Sequence, residues 1–394
     1  MYCGARAYPI AGSYSPDPRF GFLYLSYALL TLVSFSNARP GMGDTVAAMR
    51  REANKVKRAE SKQLIGDLRT LKDTQLASIG KDIKAILLSQ PNAESNIIDT
   101  SIPAGSLGSA ACKADLCCDW KRISYEMTAK SNGTSGRCTK LARQAVRLGF
   151  HDAGVCCADN NGLAAIADLI WYKNMQTWYK KYPPHGVGMA DLIQMGANVA
   201  NVICPLGPRI RSFVGRKDNS RAGPTGLLPG YTDSAGTLLK LFAAKTIDAH
   251  DLVALVGAHT TSQQHSVDHT REGDPQDSTP GIWDIESYSE TTGAAAPRVL
   301  RPASDINLSE DPRPAPEWAD FSDPSSGQEH WNDDYAPWES TKVLPPHRAR
   351  YVAPDQPILD LWLQGQFDQL NNLVDDAVML TDVGAGGSGT VIIP

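Results

Sequence analysis

Arg147 and His151 sit four residues apart in Leu141–Ala153 (LARQAVRLGFHDA). In a helix they share one face, with Phe150 beside them and Asp152 next in line, so a guanidinium and an imidazole aim at one spot. Arginine and histidine at this spacing are common on helices that do nothing, so the pair draws its meaning from the rest of the chain. A second histidine closes Asp248–Thr261 (DAHDLVALVGAHTT), where Leu252, Leu255, Val256 and His259 recur at i, i+3, i+4, i+7. His259 is the polar member of an otherwise apolar face. It is either a satisfied core histidine or an axial ligand in an apolar pocket, as haem iron requires. The second role needs a carboxylate accepting the other ring N–H, and Asp305 (in SDINL) is one candidate among many acids. In Gln276–Asp284 (QDSTPGIWD), Asp277, Thr279 and Asp284 offer hard oxygens around a Pro-Gly turn, a composition that suits calcium; Thr260 could add a hydroxyl and a carbonyl oxygen. A solvated acidic loop is the alternative there.

These residues need helices to hold them. Leu141, Ala145 and Leu148 form an apolar stripe that would seat the first motif against a core. Helical periodicity predicts further helices over Asp119–Thr128, Leu163–Tyr182, Met189–Ile203, Ser234–Ala244 and Asp248–Thr261, with a Pro- and Gly-rich loop over Cys204–Gly230. Beyond Gln263 the sequence reads as long and irregular. Little resembles a sheet, so the predicted class is mainly α.

At 394 residues the chain can form one large domain or two ordinary ones. With 38 basic against 43 acidic residues and a net charge of -5, it has no basic surplus for phosphate backbones, which argues against nucleic acid. No apolar run reaches the roughly 18–20 residues of a membrane span. Phe20–Phe35 followed by Ser36-Asn37-Ala38 predicts a signal-peptide-like segment over residues 1–38 that includes extra N-terminal residues; a buried core helix is the alternative. The eight cysteines, none in a C-x-x-C pair, and the sequons at Asn132 and Asn307 fit a secreted glycoprotein. Residues 39–111 read as a helical pro-segment or accessory arm, 112–340 as the main domain and 341–394 as a divergent tail, glycine-rich over 384–390.

In this order RLGFHDAG (147–154), NNGL (160–163), GMADLIQMGANVANVICPLGPRIRSFVGRKD (188–218), DLVALVGAHTTSQQ (251–264), DPQDSTPGIWD (274–284) and SDINLS (304–309) resemble the plant-type haem peroxidase superfamily. The resemblance is to its secreted fungal class II branch, which includes lignin and manganese peroxidases, and covers roughly Cys112 to Tyr335. It implies two helical halves, distal and proximal, sandwiching haem b. His259 would be the iron ligand and Asp305 its carboxylate. His151 would take a proton from hydrogen peroxide and deliver it to the departing oxygen, Arg147 would stabilise the developing charge, Phe150 would pack over the porphyrin, and Asn160 would hold the other nitrogen of His151. Thr260, Asp277, Thr279, Ile282 and Asp284 would form a proximal calcium site, with Asp152 a ligand of a distal one. The resemblance also implies disulfides Cys138–Cys204 and Cys112–Cys118. It points to a secreted, monomeric enzyme that oxidises small phenolic or aromatic donors in one-electron steps.

The chain departs from that pattern in three places. After Ala153 the family's G-A-D-G-S calcium loop is missing, and HDAG runs through Cys156 and Cys157 into Asn160. The eight steps from Asp152 to Asn160 reach at most about 27 Å, enough to turn back toward His151. Either a deletion or a mis-joined coding sequence accounts for the gap, and it leaves a second reading: a catalytically impaired peroxidase-fold protein. No cysteine follows Cys204, so Cys117 lacks the family's C-terminal partner. Finally, Lys140, Gln144 and His265 stand where a manganese site needs carboxylates, and Ala254 where lignin peroxidases carry a surface tryptophan. A generic peroxidase is the expectation that remains, with Trp171, Trp178 and Trp283 as radical sites or plain core.

Overall fold

The computed structural model describes residues 68–341, apart from 70, 77, 89–92, 95–104, 116, 134–135, 155–168, 183–186, 217, 219–227 and 266. The signal-peptide segment, the tail beyond 341, Asn160 and the vicinal cysteines lie outside the described residues. In chain order the α-helices are α1 Ser78–Leu87, α2 Ala110–Ala114, α3 Cys118–Ser131, α4 Lys140–Gly154, α5 Leu169–Lys181, α6 Met189–Ile203, α7 Ala235–Ala243, α8 Ala249–Val256, α9 Glu286–Thr292, α10 Ala303–Glu310, α11 Ala315–Phe321 and α12 Gly327–Thr341. No sheet occurs among the described residues; three isolated bridges are the extended pairings there. The fold is mainly α.

Helix α6 is the spine of the first half. Its residues Met189–Asn201 are all buried, and α3, α4 and α5 pack around it. An element with no solvent face must end its backbone carefully, since its first N–H groups have no intrahelical partner. Asp218 accepts from the amides of Met189 and Ala190, both at 2.9 Å. One turn in, buried Asp191 accepts from the Gly215 amide at 2.7 Å and from Arg216 Nη1 at 2.8 Å. The GRKD loop therefore serves as the cap of the GMADLIQ helix. Cys138 and Cys204 are joined, closing a loop of 66 residues across α4 and α6. Cys112 is joined to Cys118. Cys117 is also disulfide-bonded, to a partner outside the described residues.

The second half is built on α8. Asp248 and Asp251 form a capping box at its start, and α7, α11 and α12 pack against it. The periodicity predicted one helix over 248–261, but the α-helix stops at Val256 and a 3-10 turn, Gly257–Thr261, carries the chain on. At that change of pitch the Val253 carbonyl still accepts from the Gly257 amide, and side chains distant in sequence add further donors. Tyr288 Oη donates to Val253 O at 2.9 Å and Trp331 Nε1 to Ala254 O at 2.8 Å. Gly257 permits this closeness, because a Cβ there would overlap the Tyr288 hydroxyl and the Trp331 indole. Trp283 stacks on Trp331 with centroids 4.9 Å apart.

The irregular reading beyond Gln263 is corrected by α9 to α12. Three of them have seven or eight residues and polar sequences, too short to show a periodic stripe; α9, α11 and α12 share an aromatic cluster of Tyr288, Trp318, Phe321 and Trp331, and α10 packs against α9 and α11. Within the stretch assigned to an accessory arm, Leu68, Ile83 and Ile86 are buried in the same apolar core, and α1 packs on α12.

The candidate functional site

A cavity of about 510 Å³ lies between α4 on one side and α7, α8 and α10 on the other. Its walls are largely apolar, with Val146, Phe150, Leu238, Phe242, Leu255 and Leu308 among them. Arg143, Arg147 and His151 reach it from successive turns of α4, and His259 and Asp305 from the opposite wall. Two distant histidine motifs thus face one volume.

On the α8 side, His259 Nδ1 lies 2.6 Å from Asp305 Oδ2, and Ser304 Oγ donates to the other carboxylate oxygen at 3.0 Å. Asp305 is buried while 39% of the His259 side chain is accessible, so the imidazole is held from behind and opens onto the cavity. Burial alone would lower the His259 pKa; the charge and hydrogen bond of Asp305 outweigh it and Arg147's opposing charge, and the net shift is upward. With Nδ1 committed, Nε2 is the remaining donor. An apolar cavity with one oriented, electron-rich imidazole fits the proximal demands of a haem.

On the α4 side, His151 is held neutral: burial, then the charge of Arg147, pull its pKa down to about 3. Its Nδ1 is buried without a hydrogen-bond partner among the described residues. Phe150 packs edge-on to its ring at 5.8 Å. The helix end is braced by buried Gln194 of α6, which donates to Gly149 O at 3.2 Å and to Asp152 Oδ2 at 2.9 Å. Sequence reasoning passed over Gln194 and also Arg143, which donates to Gln263 Oε1 at 2.8 Å. The four-residue step from Arg143 to Arg147 was the available signal.

Behind His259 the acidic loop converges on its neighbour. Thr260 Oγ1 donates to Asp277 Oδ2 and lies 3.2 Å from Asp284 Oδ1 and 3.5 Å from Ile282 O. Thr279 Oγ1 donates to Asp284 Oδ1 at 2.9 Å. Burial pushes Asp277 up to about 7, partly opposed by hydrogen bonds from Thr260 and Thr279 and reinforced by the charges of Asp284 and Glu290; burial raises Asp284 as well. Two crowded carboxylates with hydroxyl and carbonyl oxygens around them match the donor set of a hard divalent cation. The loop also bridges the halves, through Cys138 N to Gly281 O at 3.0 Å and Trp283 N to Pro205 O at 2.9 Å.

The residues of the remaining expectations are placed as follows. Lys140 is exposed, Gln144 is buried, and His265 lies 3.3 Å from Glu272. Ala254 is wholly buried. Trp171, Trp178 and Trp283 are all buried core residues.

Opposed arginine–histidine and histidine–aspartate pairs across an apolar cavity, in a two-halved helical fold, define the peroxidase class. The chain belongs to that family: the model of the family described as Peroxidase matches residues 126–322. Relatives include Ligninase LG5 of Phanerodontia chrysosporium, 27% identical over 53% of this chain and 66% of that protein. A low-redox potential peroxidase of Taiwanofungus camphoratus is 33% identical over 36% of this chain and 48% of its own length. A peroxidase of Arthromyces ramosus is 26% identical over 48% of this chain and 59% of its own. The chain thus spans about half to two thirds of the length of these relatives.

Proposed function

We propose that the chain is a haem b-dependent peroxidase that reduces hydrogen peroxide and oxidises small phenolic or aromatic donors one electron at a time. The observation that carries this reading is the His259–Asp305 pair opening onto the same apolar cavity as Arg147 and His151. Bound haem would supply the redox chemistry, with His259 as its iron ligand. Neutral His151 has the right charge state to accept the first peroxide proton and return it to the departing oxygen. Arg147 offers fixed positive charge to the oxygen that leaves. Asp305 holds the His259 ring and its tautomer, and Phe150 fills the face beside His151. One peroxide and two donor hydrogens give two waters and two donor radicals, so the balance needs no further reactant.

The oxygen set of Thr260, Asp277, Thr279, Ile282 and Asp284 would hold calcium. Without carboxylates at 140, 144 and 265, and with alanine rather than tryptophan at 254, the donor is a generic one at the haem edge rather than Mn²⁺ or a bulky substrate. Secretion and a monomeric state complete the reading. Asn132 is the exposed glycosylation acceptor, whereas the Asn307 amide is committed to Asp233 O at 2.9 Å.

A second reading, an impaired peroxidase-fold protein, is favoured by His151 Nδ1, which has no partner among the described residues. Peroxide-dependent oxidation of a simple phenol by the haem-loaded chain tests the two. Turnover that disappears in His151→Ala supports the active enzyme; haem uptake with no turnover in the wild type supports the impaired one.

A further inference from the structure

Arg143 stands one turn before Arg147 on α4 and lines the same cavity, yet the reaction with peroxide gives it no task. We propose that Arg143 is a carboxylate-binding residue at the polar end of that cavity. The carboxylate belongs either to the reducing donor, which would then be a phenolic acid, or to a propionate of the haem. This role rests on the haem peroxidase reading above and supplies the ligand chemistry of one end of its site.

Contacts between distant segments fix where that end lies. Arg143 Nη2 donates to Gln263 Oε1 at 2.8 Å, which brings the start of α4 against the residues that follow the His259 turn. Gln276 N donates to Ser262 O at 3.2 Å, so Ser262, Gln263 and Gln276 form one polar rim of the lining. One and two turns further along α4, Val146 and Phe150 begin the apolar wall. Charge at the rim is unbalanced. Arg143 is half-buried, and its partners among the described residues are neutral: the Gln263 amide oxygen and, 3.4 Å from Nη1, the Cys138 carbonyl. Burial pulls its pKa down, and no carboxylate opposes that shift. A guanidinium carries five N–H donors in a planar fork, so two neutral bonds leave donors for an anion. Asp305 is the one carboxylate among the described residues that line the cavity, and its oxygens are taken by His259 and Ser304. His265 is answered by Glu272, 3.3 Å away. No free acid in the lining remains to match Arg143. A half-buried cation without a counter-charge is costly, and a carboxylate entering beside it would gain a charge-assisted, fork-shaped pair. A flat aromatic body joined to that carboxylate would lie along Val146 and Phe150.

The test compares 4-hydroxycinnamate with its methyl ester on the haem-loaded full chain, in wild type and Arg143→Gln. Binding is read from the donor-induced change in the Soret band, and turnover from kcat/KM at saturating hydrogen peroxide. A second arm follows the transfer of haem, and of haem dimethyl ester, from each protein to excess apomyoglobin. If the donor supplies the carboxylate, the acid-to-ester ratio should fall roughly 10–100-fold in Arg143→Gln, in binding and, through KM, in kcat/KM. If a propionate supplies it, the variant should release haem faster by a similar factor while release of the dimethyl ester quickens less. Should Arg143→Gln fail to fold by circular dichroism, Arg143→Lys, which keeps the charge and loses the fork, should show the same selective loss at smaller size. A variant that alters neither arm, or that weakens acid and ester alike and releases both haems alike, would overturn the proposal. A wild type without turnover would instead refute the peroxidase reading, and the binding and haem-release measurements would still decide the role of Arg143.

Discussion

His151 differs from an ordinary histidine in its charge state, and that gives a prediction with a definite sign. Its pKa in the fold is about 3 against 6.5 for an unperturbed imidazole, because burial and then Arg147 disfavour the cation. Between those values the unfolded chain binds a proton that the folded one does not, so this residue's contribution to stability is complete above pH 6.5 and declines as pH falls toward 3. For the reaction with peroxide, the acid limb of the pH–rate profile should therefore lie well below 6.5. Arg147→Leu should move that limb upward as well as slow the reaction, as stopped-flow mixing across pH would show; a limb near 6.5 in both proteins would refute the assignment. Which groups meet at this cavity was largely legible at the residue scale. The spacing of Arg147 and His151 and the apolar face closing on His259 named three of the groups. Asp305 could be chosen only through the resemblance, since nothing local distinguishes one acid from another. Gln194 and Arg143 escaped because their partners, Asp152 and Gln263, come from other parts of the chain.

At the scale of elements, the turn that carries His259 was the least legible feature. Apolar spacing continues smoothly through Val256 and Gly257, yet the backbone changes from α to 3-10 there, where Tyr288 and Trp331, from distant segments, donate to the Val253 and Ala254 carbonyls. Gly257→Ala places a Cβ against the Tyr288 hydroxyl and the Trp331 indole. It should cost about 1–3 kcal/mol in chemical denaturation and weaken haem binding by displacing His259, whereas unchanged stability would show the turn to be tolerant. The adjoining acidic loop gives a second prediction. Without a cation, Asp277 has its pKa raised to about 7 from 3.8, so the folded state keeps a proton that the unfolded state has lost. That contribution favours the fold below pH 3.8 and is lost as pH rises through 7. Calcium bound at the loop would remove the penalty. A chelator should therefore lower the unfolding temperature more at pH 8 than at pH 5; an equal effect at both would argue against calcium at these carboxylates. The short helices α9 to α11 were invisible for a related reason, since seven or eight residues cannot display a stripe and their stability comes from tertiary contacts.

For the whole molecule, the arrangement is two helical halves meeting at a cavity, tied by the acidic loop and reinforced by the Cys138–Cys204 bridge. That bridge closes 66 residues and should contribute about 4 kcal/mol in the chain-entropy view. The mainly α class followed from periodicity. The joining of Leu68, Ile83 and Ile86 to the main core did not, because burial against α12 depends on residues some 250 positions further along the chain. The central claim is that the two histidines act from opposite sides of one haem. Absorption spectroscopy of the haem-reconstituted chain, before and after hydrogen peroxide, tests it most directly in wild type, His259→Ala and His151→Ala. The account predicts an imidazole-ligated Soret band in wild type and His151→Ala that is lost in His259→Ala, with the response to peroxide slowed about 10²–10⁴-fold in His151→Ala. Haem bound equally well by His259→Ala, or a wild type no faster with peroxide than His151→Ala, would contradict it.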